Sequence, residues 1–311
     1  MTRRKDSLPD LSGKTYIVTG ATSGMGFTTA ARLAQHGAHV YLCARSQAKG
    51  DASAAKIKTQ YPGAKLSILT MDHADLATIV AAARHFLSQE AKLHGLVNNA
   101  GIMATPYAIT KDGYEEQWQT NYLAHWVFTR HLLPVLKSTA AAERQTPGAV
   151  RIVNLTSVGH FNAPTGGINF EDTSLGKASA GLARYGQSKL ANVLHAKVLH
   201  EQQCGQEIWV SAVHPGLVKT NLGERATSFP APLVLLVKCY SALGGARDAD
   251  SGSFTSLFCI AGSQFRREQS GTYFQPVAVA GNESAYAKDM ELARKLEAWT
   301  EKEMRKGGWV A

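Results

Sequence analysis

The sequence lacks any apolar run long enough to cross a bilayer; its longest aliphatic candidate, Pro232 to Val237, is far too short. No secretory leader is expected, because Arg3, Arg4 and Lys5 run into Asp6 and Pro9 with no apolar segment. Cysteine is scarce. Cys43, Cys204, Cys239 and Cys259 follow neither metal-ligand nor disulfide spacing, which excludes a cysteine-built metal site and suits a reducing, cytoplasmic setting. Charged residues are slightly few at 18%, and Lys and Arg outnumber Asp and Glu by 33 to 24, a net charge of +9. Those cations are dispersed and no nucleic-acid motif accompanies them, so a nucleic-acid partner is not expected. A protein that binds phosphorylated cofactors needs no other partner to explain its charge. Repeats, linkers and charge-block tails are also missing from the 311 residues, a length suited to one large α/β domain.

What is present alternates. Lys14 to Thr19 is a short β-branched and aromatic run, the mark of a buried strand. It leads straight into Gly20-Ala21-Thr22-Ser23-Gly24-Met25-Gly26, and a helical pattern follows to Gly37. Strand, glycine turn and helix together form an anion-binding context. The glycines let backbone approach a pyrophosphate, and the helix N-terminus offers free N–H groups. A second strand, His39 to Cys43, ends in Ala44-Arg45-Ser46. An acid at that position would take the ribose hydroxyls of NAD; its absence, with Arg45 following, favours the 2′-phosphate of NADP. Ser23 and Ser46 are further candidates for that phosphate.

A polar helix is expected over Ala48 to Gln60, and a third strand over Lys65 to Thr70, ending at Met71-Asp72-His73. Asp72 suits an adenine amino group, and Asp75 suits a helix cap. Leu93 to Val97 reads as a fourth strand closed by Asn98-Asn99-Ala100-Gly101, the small residues and amides that a doubly wound sheet sets beside its ligand. A helix from about Asp112 to Ser138 contains Asn121, a poor helix former whose midpoint position signals a task or a kink. Val150 to Thr156 reads as a fifth strand that delivers Ser157. After a Gly-rich polar connection over 158–184, a helix carries Tyr185 and Lys189, four residues apart and so on one face. A cation beside a phenol favours the phenolate, so the pair describes a tunable proton donor. A sixth strand, Ile208 to Val213, leads to His214-Pro215-Gly216, and an apolar stretch over 220–246 reads as a substrate lid. A helix near Asp248 to Ala261, a short strand at Gly271 to Phe274 and a helix near Ser284 to Arg305 complete the chain. In the last helix Leu292, Leu296 and Trp299 form a core stripe. The expected fold is α/β, with one mostly parallel sheet and helices on both faces.

TGATSGMG at 19–26, NNAG at 98–101, Asn121, Ser157, YGQSK at 185–189 and HPGLVKT at 214–220 together resemble the short-chain dehydrogenases/reductases, over nearly the whole chain. RIVNLTSVGH at 151–160 and YGQSKLANVLH at 185–195 are similar to the retinol dehydrogenase and WW-domain oxidoreductase branch. The resemblance implies a single-domain Rossmann-type fold and an NADP(H)-dependent oxidoreductase that interconverts a ketone or aldehyde with an alcohol. It implies Tyr185 as general acid in reduction and general base in oxidation. Lys189 would lower its pKa and hold the nicotinamide ribose, Ser157 would orient the substrate carbonyl, and Asn121 would support a water chain to Lys189. Pro215 and Gly216 would pack beside the nicotinamide, with Val218 and Thr220 on its carboxamide. Three departures stand out. His73 replaces an apolar residue of many relatives, the membrane-anchoring N-terminal segment of the retinoid enzymes is not seen, and the connection before Tyr185 is longer. The expected substrate is an apolar small molecule, without a stable membrane anchor, on a monomer or homodimer. Other readings are an oxidative retinol- or steroid-like dehydrogenase, and a catalytically silent NADP-binding regulator.

Overall fold

The computed structural model describes residues 8–176, 181–203, 207–219 and 245–311. The chain begins with β1 (Thr15–Val18), α1 (Gly24–Gln35), β2 (His39–Ala44), α2 (Gln47–Gln60), β3 (Lys65–Thr70), α3 (Leu76–Gln89) and β4 (Gly95–Asn98). Glu116–Trp118 then opens a long helical stretch that passes through a π-turn, Gln119–Leu123, into α4 (Ala124–Ala142). Next come β5 (Val150–Leu155), a 3₁₀ turn (Val158–Asn162), α5 (Gly181–Gln203), β6 (Ile208–Val213) and α6 (Ala249–Ala261). The chain ends with β7 (Tyr273–Gln275), β8 (Val279–Ala280), a short α7 (Ala285–Lys288) and α8 (Met290–Lys306).

The strands form one sheet in the order β3-β2-β1-β4-β5-β6-β7-β8, parallel except for the β7–β8 pair. Strands β1, β4, β5 and β6 are buried at every position, as a parallel sheet covered on both faces requires. One face packs Phe86, Trp126, Phe128, Leu136 and Leu194 from α3, α4 and α5, with Leu292 and Leu296 of α8 beyond them. The other packs Ala30 and Leu33 of α1 and Leu257 and Ile260 of α6. The strand order reverses between β1 and β4, and ligands of doubly wound sheets bind beyond the carboxyl ends of strands at such a switch point. This is a Rossmann-type α/β fold.

The departures from expectation have local causes. The antiparallel edge strand β8 was not foreseen; two residues carry too little pattern to read. The last helix is two helices, because Asp289 leaves helical geometry at ψ 104 and its carboxylate captures the amides of Glu291 and Leu292 at 2.9 Å. The helix expected over 112–138 starts at Glu116 and ends at Ala142. Its irregularity does fall on Asn121, as a π-turn in which the Ala124 N–H bonds the Gln119 carbonyl. Asp75 caps α3 by accepting from Ala77 N at 3.1 Å. Leu292 and Leu296 are core, with Trp299 half-buried against them. Residues 220–244 of the expected lid, Thr220 among them, lie outside the described residues, as do Cys204, Cys239 and the N-terminal basic residues.

Candidate active site

The carboxyl ends of β1, β4 and β5 bring together most of the residues singled out in the sequence. Gly20 and Gly24 adopt left-handed backbone, with φ of 63° and 54°. A Cβ on Gly26 would collide with the Gly20 carbonyl and the Asn99 amide, so α1 can lie this close to the turn only with glycine there. Ser23 is the N-cap of α1 and its side chain makes no cap bond. No acid occupies the first turn of α1, leaving its positive end unopposed for an anion. Thr22 and Met25 are half-buried beside it. Arg45 is exposed at the end of β2, after the buried Ala44. Asp72 is half-buried at the end of β3, where its carboxylate accepts from Ala74 N at 3.0 Å.

Thr19, at the end of β1, organises the neighbouring turn. Its hydroxyl accepts the amides of Asn99 and Ala100 at 2.8 and 2.9 Å, and its carbonyl accepts from the Asn99 side chain at 2.8 Å. Asn98 is turned into the sheet, donating to Asn154 and Thr129 at 2.9 and 3.0 Å, so its side chain serves the fold and not the crevice. The Asn121 side chain is likewise committed. It exchanges bonds with the backbone of Ile102 at 2.8 and 3.0 Å and donates to Ser188 Oγ at 2.9 Å, tying the NNAG loop to α5.

α5 carries Tyr185 and Lys189 inward, 4% and 5% exposed. Ser157 stands at the mouth of β5 as N-cap of the 3₁₀ turn, its hydroxyl accepting from Gly159 N at 3.0 Å. Burial pushes the Tyr185 phenol up to about 12, and a hydrogen bond with Ser157 pulls it back in part. Lys189 Nζ lies 5.7 Å from the centre of the Tyr185 ring. It donates to the Leu155 carbonyl at 3.1 Å, and burial brings it down to about 7. Burial dominates both groups, raising the phenol and lowering the lysine.

On the far side Pro215 is buried, and Gly216 is left-handed at φ 86° with Pro276 where a side chain would sit. Val218 pairs with Arg247 and packs on Gly252 of α6, close to Met25. Sequence reading missed Thr19, His125 and His160. His160 is fully buried three residues past Ser157, holding the Ser157 carbonyl through Nδ1 at 2.7 Å and accepting from Ser284 N at 3.0 Å. His125 lies four residues past Asn121, and its Nδ1 is 3.0 Å from the Asn121 carbonyl. The i+3 and i+4 spacings were available as signals.

These residues fit a nicotinamide dinucleotide. The glycine cradle has no room for a Cβ, the helix end is unopposed, and the buried lysine has more donors than its one carbonyl partner uses. A Cβ on Gly101 would lie 3.1 Å from Asn121 Oδ1 and 3.4 Å from Lys189 Nζ, so glycine keeps space open beside that ammonium. Fold and site together define a dinucleotide-binding oxidoreductase. A family model described as short chain dehydrogenase matches residues 14–230, and the chain belongs to this family. Short-chain dehydrogenase/reductase drtF of Aspergillus calidoustus is 49% identical over 307 residues, covering 96% of each chain. Retinol dehydrogenase 12 of Homo sapiens is 36% identical, over 85% of this chain and 78% of that protein. Among solved structures, an uncharacterized protein from Mycobacterium paratuberculosis superposes with a TM-score of 0.73 at 29% identity, covering 96% of both chains. A 3-ketoacyl-(acyl-carrier-protein) reductase from Brucella melitensis, complexed with NADH, gives 0.64 at 25% identity, covering 88% of this chain and 98% of that one. Among the described residues no helix is long and apolar enough to cross a membrane, and no cluster of side chains is arranged for a metal.

Proposed function

We propose that the protein is an NADP(H)-dependent oxidoreductase that interconverts a ketone or aldehyde and an alcohol on an apolar small molecule, working chiefly as a reductase. The observation that carries this reading is the buried Tyr185–Ser157 pair with Lys189 behind it, at the carboxyl edge of the sheet. The bound nicotinamide supplies or accepts a hydride. Ser157 presents its hydroxyl to the substrate oxygen and orients it. Tyr185 delivers the proton from its phenol oxygen as that oxygen gains charge. Burial keeps the phenol protonated at neutral pH, the form that reduction starts from. Lys189 binds the cofactor's ribose with its spare donors and, once charged, favours the phenolate that remains. Pro215, Gly216 and Val218 shape the wall beside the nicotinamide, and Thr220 is assigned to it from the sequence motif alone.

Cofactor choice follows from the end of β2. Ala44 offers no carboxylate to a ribose 2′-hydroxyl, and Arg45 makes no ion pair among the described residues, so its guanidinium is available to a 2′-phosphate. The similarity to retinol dehydrogenase 12 supports a second reading, oxidation of an apolar alcohol with the same residues run backwards. Following NADPH absorbance against a panel of carbonyls and alcohols tests both readings. Tyr185→Phe should bind NADPH within about threefold of wild type while kcat falls roughly 10²- to 10⁴-fold. A Phe variant that retains most of its turnover on a responsive carbonyl removes Tyr185 from the chemistry.

A further inference from the structure

His73 and His125 take no part in the proton chemistry above, yet both are buried against it. Their Nε2 atoms are 3.1 Å apart and the rings meet edge-on, centroids 4.7 Å apart. The partners of each ring assign its hydrogen. His125 Nδ1 faces the Asn121 carbonyl at 3.0 Å, and a carbonyl only accepts, so Nδ1 carries the hydrogen. Nε2 of the neutral ring is then a bare acceptor. Thr19 Oγ1 lies 2.9 Å from it, accepts two backbone amides, and has one hydrogen to divide between this nitrogen and the Val97 carbonyl at 3.3 Å. His73 reaches the same nitrogen and therefore donates, with its hydrogen on Nε2.

We propose that His125 is a positioning residue for the reaction and that His73 locks its tautomer. Together they fix the Asn121 carbonyl and the Thr19 hydroxyl, which holds the Asn99 and Ala100 amides next to Gly101. The inference rests on the site reading given above. One imidazole joins the end of β1 to the π-turn, and the second extends that tie to the end of β3, next to Asp72. Gln119 of the π-turn reinforces it, donating to the His73 carbonyl at 3.2 Å and to Asp112 Oδ2 at 2.7 Å. The bond from His73 therefore links the adenine end of the crevice, where Asp72 stands, to its reacting end.

The arrangement favours neutral rings, since protonating His125 would set its N–H against the N–H of His73. Asp72 and Arg45 act on His73, Lys189 and His195 act on His125, and Asp112 lies across Gln119. Burial dominates all of these, holding His73 at about 4 and His125 well below the usual histidine range. Because both values are depressed, the tie is complete at and above the ordinary histidine pKa of about 6.5 and is lost as pH falls toward 4.

His73→Leu removes the donor, whereas His73→Gln restores an N–H at similar reach. The expected result is a kcat roughly tenfold lower for Leu with little change in KM, and within about threefold of wild type for Gln. The acid limb of the Leu profile should shift to higher pH, because His125 loses the neighbour that opposes its charge. NADPH affinity, read by fluorescence titration, should weaken roughly three- to tenfold in the Leu variant and recover in Gln. Nitrogen NMR of the wild type should show His125 protonated at Nδ1 and His73 at Nε2, whether or not a substrate is known. A His125 hydrogen on Nε2 overturns the proposal, as do Leu and Gln variants that match each other in kcat, pH profile and NADPH affinity. If the tautomers and the titrations are as expected and no carbonyl or alcohol is turned over, the assigned reaction fails and the positioning of the cofactor site stands.

Discussion

At the scale of single residues the decisive quantity is the charge on Lys189. Burial brings this lysine from an ordinary value near 10.5 to about 7, so the ligand-free chain at neutral pH holds an ammonium that readily gives up its proton. On the proposed reading, cofactor binding would restore its missing partners and pull a proton back. Affinity should therefore fall as pH rises through about 7, and calorimetry in buffers of different ionisation heat should show proton uptake on binding near pH 8. Lys189→Met should flatten both dependences while lowering affinity and turnover together. The same substitution should stabilise the ligand-free protein. A lysine with a depressed folded value weakens the fold most at and below pH 7, and that penalty fades as pH rises toward 10.5. Its carbonyl partner, Leu155 O, keeps a bond from Asn192 at 3.0 Å, so no buried acceptor is orphaned. Denaturant melts at pH 7 should show a gain of about 1 kcal/mol or more. Arg45 carries the second test at this scale. Wild type should prefer NADPH over NADH by at least about tenfold in kcat/KM, the worth of one charge-assisted contact. Arg45→Ala should erase most of that preference, and equal use of NADH by the wild type would sink the NADP assignment.

At the scale of elements the 3₁₀ turn after Ser157 packs directly against the Tyr185 ring. A Cβ on Gly159 would come within 2.7 Å of the Tyr185 ring, so Gly159→Ala should push the phenol off line. The expected outcome is a kcat roughly 10- to 100-fold lower together with a lower melting temperature, because Gly159 is buried against the ring. Most elements were legible in the sequence because their signals are local: β-branched runs for the strands, glycines at the first turn, and Asp75 before α3. Asn121 announced an irregularity, though its form as a π-turn was not readable. The Asn98 side chain, expected at the ligand, braces Asn154 of β5 and Thr129 of α4, partners 56 and 31 positions away. The His73–His125 pair was invisible for the same reason. His73 stood out only as a departure from relatives and His125 not at all, and only the fold brings the end of β3 beside α4. The four-residue spacing of Tyr185 and Lys189 made their proximity readable, whereas the effect of burial on each could not be read from spacing.

At the scale of the whole molecule α8 lies across the outer face of α4 and α5 and is stitched there by polar bonds. Trp126 Nε1 donates to Glu297 at 2.9 Å, Tyr122 and Thr300 share a bond at 2.7 Å, and Arg130 meets Glu301 at 3.0 Å. Burial works against the Glu297 charge, but His195, Trp126 and Arg130 outweigh it and hold the carboxyl below its usual range. A depressed carboxylate stabilises the fold above its unfolded value and stops doing so as pH falls through the folded one. Glu297→Gln should therefore melt earlier at pH 7, by about 1–2 kcal/mol, with the gap to wild type closing below pH 4. A constant gap across that range would show that Glu297 acts through shape alone. These stitches join residues 171 to 178 positions apart. On the ribosome, α4 emerges with its outer face open and must wait for most of the remaining chain before α8 can cover it. A newborn chain of this design is thus exposed to chaperones and to its neighbours for longest at the helices that flank its reaction centre.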